Sequence, residues 1–212
     1  AMVSHNFCLV LVGLWLGSSA SGMYGAAYRV VWAPTLIVTA YYMALRPTLA
    51  RGYRDGIDTV ANLLKRSVRL TTAGAVGIVV GGAMLAAPLV RLLYGRGYDG
   101  AIVPMQMLLA SFALVVVNRK YRLILTCFNR QGVDFNIMSA AAVVNIVGNV
   151  LLIPRMGVAG AALASVISET CILVIGYSAT RFLVGHVPFW RHIVRPLLCA
   201  AVIRTATSLA AA

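Results

Sequence analysis

An all-α, polytopic transmembrane helical bundle of about seven spans is the fold class this sequence predicts, and three observations carry it. Hydrophobic residues make up 61% of the 212 and charged ones only 11%, with a mean hydropathy of +0.89. Such a mix has too little polar surface to coat a water-soluble core. The apolar residues fall into runs near the ~20 that a helix needs to cross hydrocarbon. Between the runs, loops rich in Lys and Arg alternate with poor ones, as in a chain threaded back and forth through a bilayer. Residues 1–212 read as a single transmembrane domain.

In order, the candidate spans are 6–21, 24–50, 68–90, 101–128, 135–153, 158–183 and 192–211. The first is short, but it does not read as a signal peptide, because residues 1–6 hold no Lys or Arg and further spans follow at once. The second opens with Tyr24, Tyr28 and Arg29, which fit an anchor at the outer interface or a guanidinium looking inward, and ends near Arg46 and Pro47, where the arginine snorkels. The polar stretch 51–66 has Ile57, Val60, Leu63 and Leu64 near helical spacing and reads as a short interfacial helix. Gly74, Gly77, Gly81 and Gly82 give the third span a small-residue face, and Gly157, Gly160, Ala164 and Ser168 do the same for the sixth, so both are expected to pack closely. Pro34, Pro47, Pro88 and Pro104 should kink or end helices. The fifth and sixth spans meet at Ile153-Pro154-Arg155-Met156-Gly157, a hairpin signal. The seventh, 192–211, reads as an extra span, expected to be incomplete.

Charge sets the expected orientation. One set of loops holds Arg51, Arg54, Lys65, Arg66 and Arg69, then Arg130, then Arg181, Arg191 and Arg195, while the other holds only Arg91, Arg96 and Arg155. The richer set should be cytoplasmic, which puts the N-terminus inside and the C-terminus outside. The net charge of +13 does not indicate nucleic acid, because the basic residues cap apolar runs instead of forming one stripe. The bilayer is the expected surroundings.

Reactive chemistry is not what the residues spell. Cys8, Cys127, Cys171 and Cys199 lie in apolar stretches, His5, His186 and His192 are scattered, and neither group has metal-ligand spacing. No glycine-rich loop precedes a phosphate-binding lysine. The sequence therefore predicts no catalytic residues, no metal and no cofactor. A glycosyltransferase acting at the membrane edge would have to use Asp55 and Asp58, its only candidate carboxylates.

Polar residues inside the spans are the candidates for function. In the fourth span, seventeen mostly apolar residues run into Asn118-Arg119-Lys120-Tyr121-Arg122. A continuous helix would place these cations about 7 to 12 Å from its midpoint, still inside a core about 30 Å thick. Two readings stand: a basic wall facing an aqueous cavity, where guanidinium forks hold phosphate oxygens, or cations touching lipid headgroups. Arg119 and Arg122, three apart, share a face more nearly than either does with Lys120. Glu169 sits well inside the sixth span, where a carboxylate should take up a proton or pair with a cation, Arg122 and Arg29 being the candidates, as a structural bridge between helices or in a transport role. Asn145 and Asn149, four apart, either bond to a neighbouring helix or line a cavity.

Several segments together resemble a known family. They are Gly22-Met23-Tyr24-Gly25-Ala26-Ala27-Tyr28-Arg29, then Leu92-Leu93-Tyr94-Gly95-Arg96-Gly97-Tyr98, then Asn145 through the Pro154 hairpin to Ala162, and Ser168-Glu169. In this order the chain resembles the C-terminal half of polysaccharide flippases, of O-antigen type, in the multidrug/oligosaccharidyl-lipid/polysaccharide exporter superfamily. The resemblance implies one lobe of a two-lobe transporter that works by alternating access. It implies a cargo of undecaprenyl-pyrophosphate-linked oligosaccharide, carried across the bacterial cytoplasmic membrane, and cationic cavity residues that meet the pyrophosphate. On it, Arg119, Arg122, Asn118 and Arg29 are expected to bind cargo, with Asn145, Asn149 and Glu169 lining the cavity or balancing charge. At 212 residues the chain is about half of such a transporter, so a second lobe or a second copy is expected as partner. The alternatives are a lipid II flippase, a multidrug exporter fragment, and a non-transporting scaffold or inactive fragment. A drug exporter would be expected to carry an acidic site, and here Glu169 is outnumbered by cations.

Overall fold

The computed structural model describes residues 2–55 and 57–184. They form α1 (Met2–Trp32), α2 (Thr35–Asp55), α3 (Ile57–Met84), α4 (Ala86–Tyr94), a 3-10 turn (Arg96–Ala101), α5 (Ile102–Cys127), α6 (Gln131–Met156) and α7 (Val158–Val184), with no strand among the described residues. By length and composition four stretches can cross a membrane: Phe7–Leu45, Arg96–Thr126, Gln131–Met156 and Val158–Arg181. A fifth is reached if Arg69–Met84 and Ala86–Tyr94, bent by 70°, count as one. This is a multi-pass, all-helical membrane protein. The expected seventh span, 192–211, lies outside the described residues.

The first of these stretches is folded back on itself. Gly17 has φ 85° and ψ 174° inside α1, and Ser21 Oγ donates to Leu9 O at 3.4 Å, residues that an unbroken helix would hold about 18 Å apart. A Cβ at Gly25 would likewise lie 3.7 Å from Leu9. α1 is thus a hairpin of two antiparallel arms, and the Phe7–Leu45 stretch passes twice through the bundle. Its turn is at Gly17, whose positive φ suits a residue without a Cβ, and not at 22–23 where the sequence placed the boundary.

Prolines account for two further breaks. Pro88 has no N–H to return to the Met84 carbonyl and its ring crowds that oxygen, so the third span ends at Met84 and α4 leaves at an angle instead of continuing to residue 90. Pro34 separates α1 from α2 in the same way, leaving Ala33 N bonded back to Arg29 O at 3.1 Å. The stretch 51–66 is not a separate interfacial helix. α2 runs to Asp55 and α3 begins at Ile57.

The loops alternate between the two ends of the bundle. A Cβ at Gly157, in the α6–α7 turn, would lie 3.9 Å from Leu16, and one at Gly22 would lie 3.7 Å from Tyr98 Oη. The Gly17 turn, the 3-10 turn and the α6–α7 turn therefore share one end, the end that carries Arg91, Arg96 and Arg155. Arg91 and Asp99 form an exposed ion pair there at 2.9 Å.

The core lies where the two arms of α1, α3, α5, α6 and α7 meet, around Val12, Tyr24, Met105, Phe112 and Ile153. The small-residue prediction divides. On the α6–α7 hairpin, a Cβ at Gly148 would lie 3.2 Å from Ala164 Cβ, and one at Gly160 would lie 2.6 Å from the Leu152 carbonyl carbon. These helices touch backbone to backbone. On α3 only Gly82 packs closely, against Leu109, while Gly74, Gly77 and Gly81 have nothing packed within 4 Å of where a Cβ would stand.

Candidate functional site

α5 stays helical through Asn118-Arg119-Lys120-Tyr121-Arg122, so the two expected arginines are carried on a rigid element. From the middle of its 26 residues, Arg119 is about 7 Å away and Arg122 about 11 Å by the helical rise, within a half-thickness of about 15 Å. Arg119, Arg122, Tyr42, Thr126 and Asp134 line a polar cavity of about 100 Å³. Arg122 makes a two-pronged bond to Asp134, Nε to Oδ1 at 2.9 Å and Nη2 to Oδ2 at 3.0 Å. Arg119 is only partly exposed, and its Nε is buried with no hydrogen-bond partner among the described residues. Tyr42 is held from behind by its hydroxyl contact with Thr71 at 3.4 Å. Lys120 points elsewhere: it is 2% exposed, with Nζ 4.8 Å from the centre of the Tyr121 ring.

Asp134 was not among the residues the sequence singled out. Its signal is weak but physical: it lies in the first turn of α6, where a carboxylate is favoured by the helix dipole, and one short turn away from the end of α5. Asp134 takes the Arg122 fork, and among the described residues the ion pair expected between Glu169 and Arg122 or Arg29 is not formed. Glu169 instead accepts a bond from Asn118 Nδ2 at 2.9 Å, and the same amide bonds the Glu169 carbonyl at 2.9 Å. Asn118 is 3% exposed and lines neither described cavity. Its amide is occupied in tying α5 to α7.

A second, larger cavity of about 510 Å³ lies between α1, α5, α6 and α7, with Tyr24, Tyr28, Trp32, Asn145, Ser168 and Glu169 among its walls. Tyr28 stacks on Trp32 with ring centres 4.7 Å apart and planes 18° apart. Tyr24 is 1% exposed and packs in the core, and Tyr28 is half-buried beside it. Their spacing, four residues apart on one helix face, was the signal for this aromatic wall. Arg29, on the same arm, is exposed and lines neither described cavity.

Asn145 does both things the sequence left open, and Asn149 does one of them. Asn145 lines the larger cavity and donates to Ser168 Oγ at 3.2 Å. Asn149, fully buried, donates to Asn145 Oδ1 at 3.0 Å and accepts from Cys8 Sγ at 3.3 Å. This ladder fastens α1, α6 and α7 at bundle depth, where water offers no replacement partners. No cluster of metal-ligating side chains occurs among the described residues.

Chemically, then, the bundle offers a small basic pocket of phosphoryl size and a larger cavity lined by aromatic residues and one carboxylate. Comparison with known proteins adds two findings. Residues 2–211 match the family described as Lipid II flippase MurJ. The chain is also 29% identical over 170 residues to a protein of Haloferax volcanii named Probable flippase AglR, a match that covers 76% of this chain and 34% of that one. The chain thus spans about a third of the length of the curated relative it matches.

Proposed function

The chain belongs to the lipid II flippase MurJ family, and from that premise we propose that it is one lobe, C-terminal in kind, of a transporter that flips polyprenyl-pyrophosphate-linked glycans by alternating access. The membrane is the bacterial cytoplasmic membrane, with the N-terminus on the cytoplasmic side, and the arginine pocket lies toward that side. The second wall of the transport path comes from another lobe or another copy of the chain. Undecaprenyl-pyrophosphate-linked oligosaccharide and lipid II share the anionic pyrophosphate, and the family relation favours lipid II as the cargo.

The observation that carries the reading is the convergence of Arg119 and Arg122 on one polar cavity, with a buried guanidinium N–H that has no protein acceptor among the described residues. A buried donor left unmatched costs about 1 to 3 kcal/mol, and an oxyanion relieves it. The cavity of about 100 Å³ has room for a phosphoryl group. Arg29, exposed on α1, is the cation placed to face a second lobe. Asn118 acts through Glu169, fixing α5 against α7, and Asn145 and Asn149 hold the hairpin to α1.

A flipping assay on the complete transporter carrying Arg119→Ala or Arg122→Ala tests this. Export should fall by about tenfold or more in each, since each loses one charge-assisted contact worth roughly 1.5 to 3 kcal/mol. Undiminished export in both variants would remove the pocket from the transport path. A chain whose thermal stability ignores inorganic pyrophosphate would point instead to a scaffold.

A further inference from the structure

The helix α3 stops short of the far side of the membrane. From Arg69, its last cation, to its end at Met84 the chain rises about 22 Å, against a hydrocarbon core of about 30 Å. Gln106 gives the depth of that end independently. Its Nε2 donates to the Ala83 carbonyl at 3.3 Å, and it stands one turn into α5, which begins at Ile102, about 6 Å along the helix from its start. Both measures put the elbow between α3 and α4 about 6 to 8 Å inside the hydrocarbon. The bend of 70° then sets the course of α4. Its nine residues are about 12 Å long, and at that angle to α3 they climb only about 4 Å toward the surface. α4 therefore runs close to the membrane plane, at the depth where acyl chains meet headgroups.

The two faces of α4 fit that position. Ala86 and Val90 are buried against the core. Leu85, Pro88 and Leu92, at helical spacing on the opposite side, are exposed, Leu92 by 81%. Polar groups at this end suit headgroup depth. Arg91 is neutralised by a two-pronged pair with Asp99, at 2.9 and 3.1 Å, while Arg96 is exposed and outside both ion pairs formed among the described residues, a cation available to lipid phosphate. Tyr94 and Tyr98, half-buried with ring centres 5.3 Å apart, are of the type that collects at membrane interfaces. A row of three apolar residues falls far short of the roughly 1,000 Å² that a stable protein interface takes, whereas lipid covers an apolar face of any size. We propose that α4 is a lipid-docking helix, lying in the leaflet at the Arg91 end with Leu85, Pro88 and Leu92 against acyl chains. The crossing begun by α3 is thus completed by a helix in the membrane surface, not by one continuing through it. This assignment is independent of the cargo read at Arg119 and Arg122.

A nitroxide at position 92, carried on p-acetylphenylalanine so that the native cysteines stay in place, tests this in the full chain reconstituted into nanodiscs of phosphatidylcholine and phosphatidylglycerol. In power saturation, oxygen should relax the label severalfold more than a water-soluble nickel chelate does, at a depth of about 5 to 10 Å below the phosphates. The same label at position 85, on the same face, should read alike, and it stands in if the variant at 92 does not fold. Nickel outweighing oxygen at these positions means that the face looks into water, and shielding from both means that another protein surface covers it; either result overturns the proposal. A depth near the bilayer centre overturns it too, because α4 would then be part of a span. Pyrophosphate binding at Arg119 and Arg122 enters none of these readings.

Discussion

Adding one methyl group at Gly160 should loosen the bundle, and the same change at Gly77 should not. A Cβ on Gly160 would sit 2.6 Å from the Leu152 carbonyl carbon and 3.1 Å from Ile153 N, whereas ordinary contact begins near 3.4 Å. The nearest obstacle is the Leu152 carbonyl oxygen, which is backbone, so no rotamer change relieves it and α6 and α7 must separate by roughly 1 Å at this level. Overpacking of this kind costs about 1 to 3 kcal/mol, and here the upper half applies because both partners are main chain. The displacement also reaches the Asn145–Ser168 bond between the same helices. For a domain of this size, about 2 to 3 kcal/mol lowers the melting temperature by roughly 4 to 12 °C. Gly77 is exposed with no atom within 4 Å of the added position, and Gly→Ala in a helix is favourable by about 0.5 to 1 kcal/mol, so Gly77→Ala should melt at or slightly above wild type. Thermal unfolding of the purified chain in one detergent, followed by circular dichroism, compares the three. If Gly160→Ala melts within 1 °C of wild type, or if the two variants fall together, the backbone contact does not limit the packing of the hairpin.

Other perturbations read other contacts. Asn149→Leu removes the centre of the Cys8–Asn149–Asn145 ladder and leaves Asn145 Oδ1 without its donor, so stability should fall by about 1 to 3 kcal/mol, while Cys8→Ala should cost less because a thiol is a weak donor; chemical denaturation in mixed micelles ranks the two. Asp134→Asn releases the Arg122 fork, and isothermal titration with inorganic pyrophosphate should show tighter binding, with stability changed by less than about 1 kcal/mol because Arg122 is 45% exposed. Pro88→Ala restores an N–H toward the Met84 carbonyl, so spin labels on 74 and 93 should move apart toward the roughly 28 Å of an unbroken helix, measured by pulsed electron resonance.

How much of this was legible in the chain depends on the range of the interaction involved. The continuous helix through 118–122 and the hairpin at Gly157 follow from hydropathy and a glycine beside a proline, which are local. Arg119 and Arg122 follow too, because three-residue spacing fixes their shared face whatever packs against it. The partner of Arg122 was not legible: Asp134, in the first turn of α6, and Glu169, near the middle of α7, are both carboxylates on helices that pack against α5, and only the short turn between α5 and α6 brings Asp134 to the fork. Two glycine stripes of equal appearance proved unlike for the same reason, since a missing side chain records an opportunity for close approach and not the neighbour that takes it.

By itself, then, the sequence determined that the chain is a helical membrane bundle, where most of its helices run, and which buried polar groups needed accounting for, because bilayer thickness and the 3.6-residue period act on each segment alone. The fold-back at Gly17, the bend imposed at Pro88, the transfer of Glu169 to Asn118 and the division of polar groups between a basic pocket and an aromatic cavity were decided by tertiary structure. Each depends on the distance between residues far apart in the chain, and that distance is set only when the helices pack.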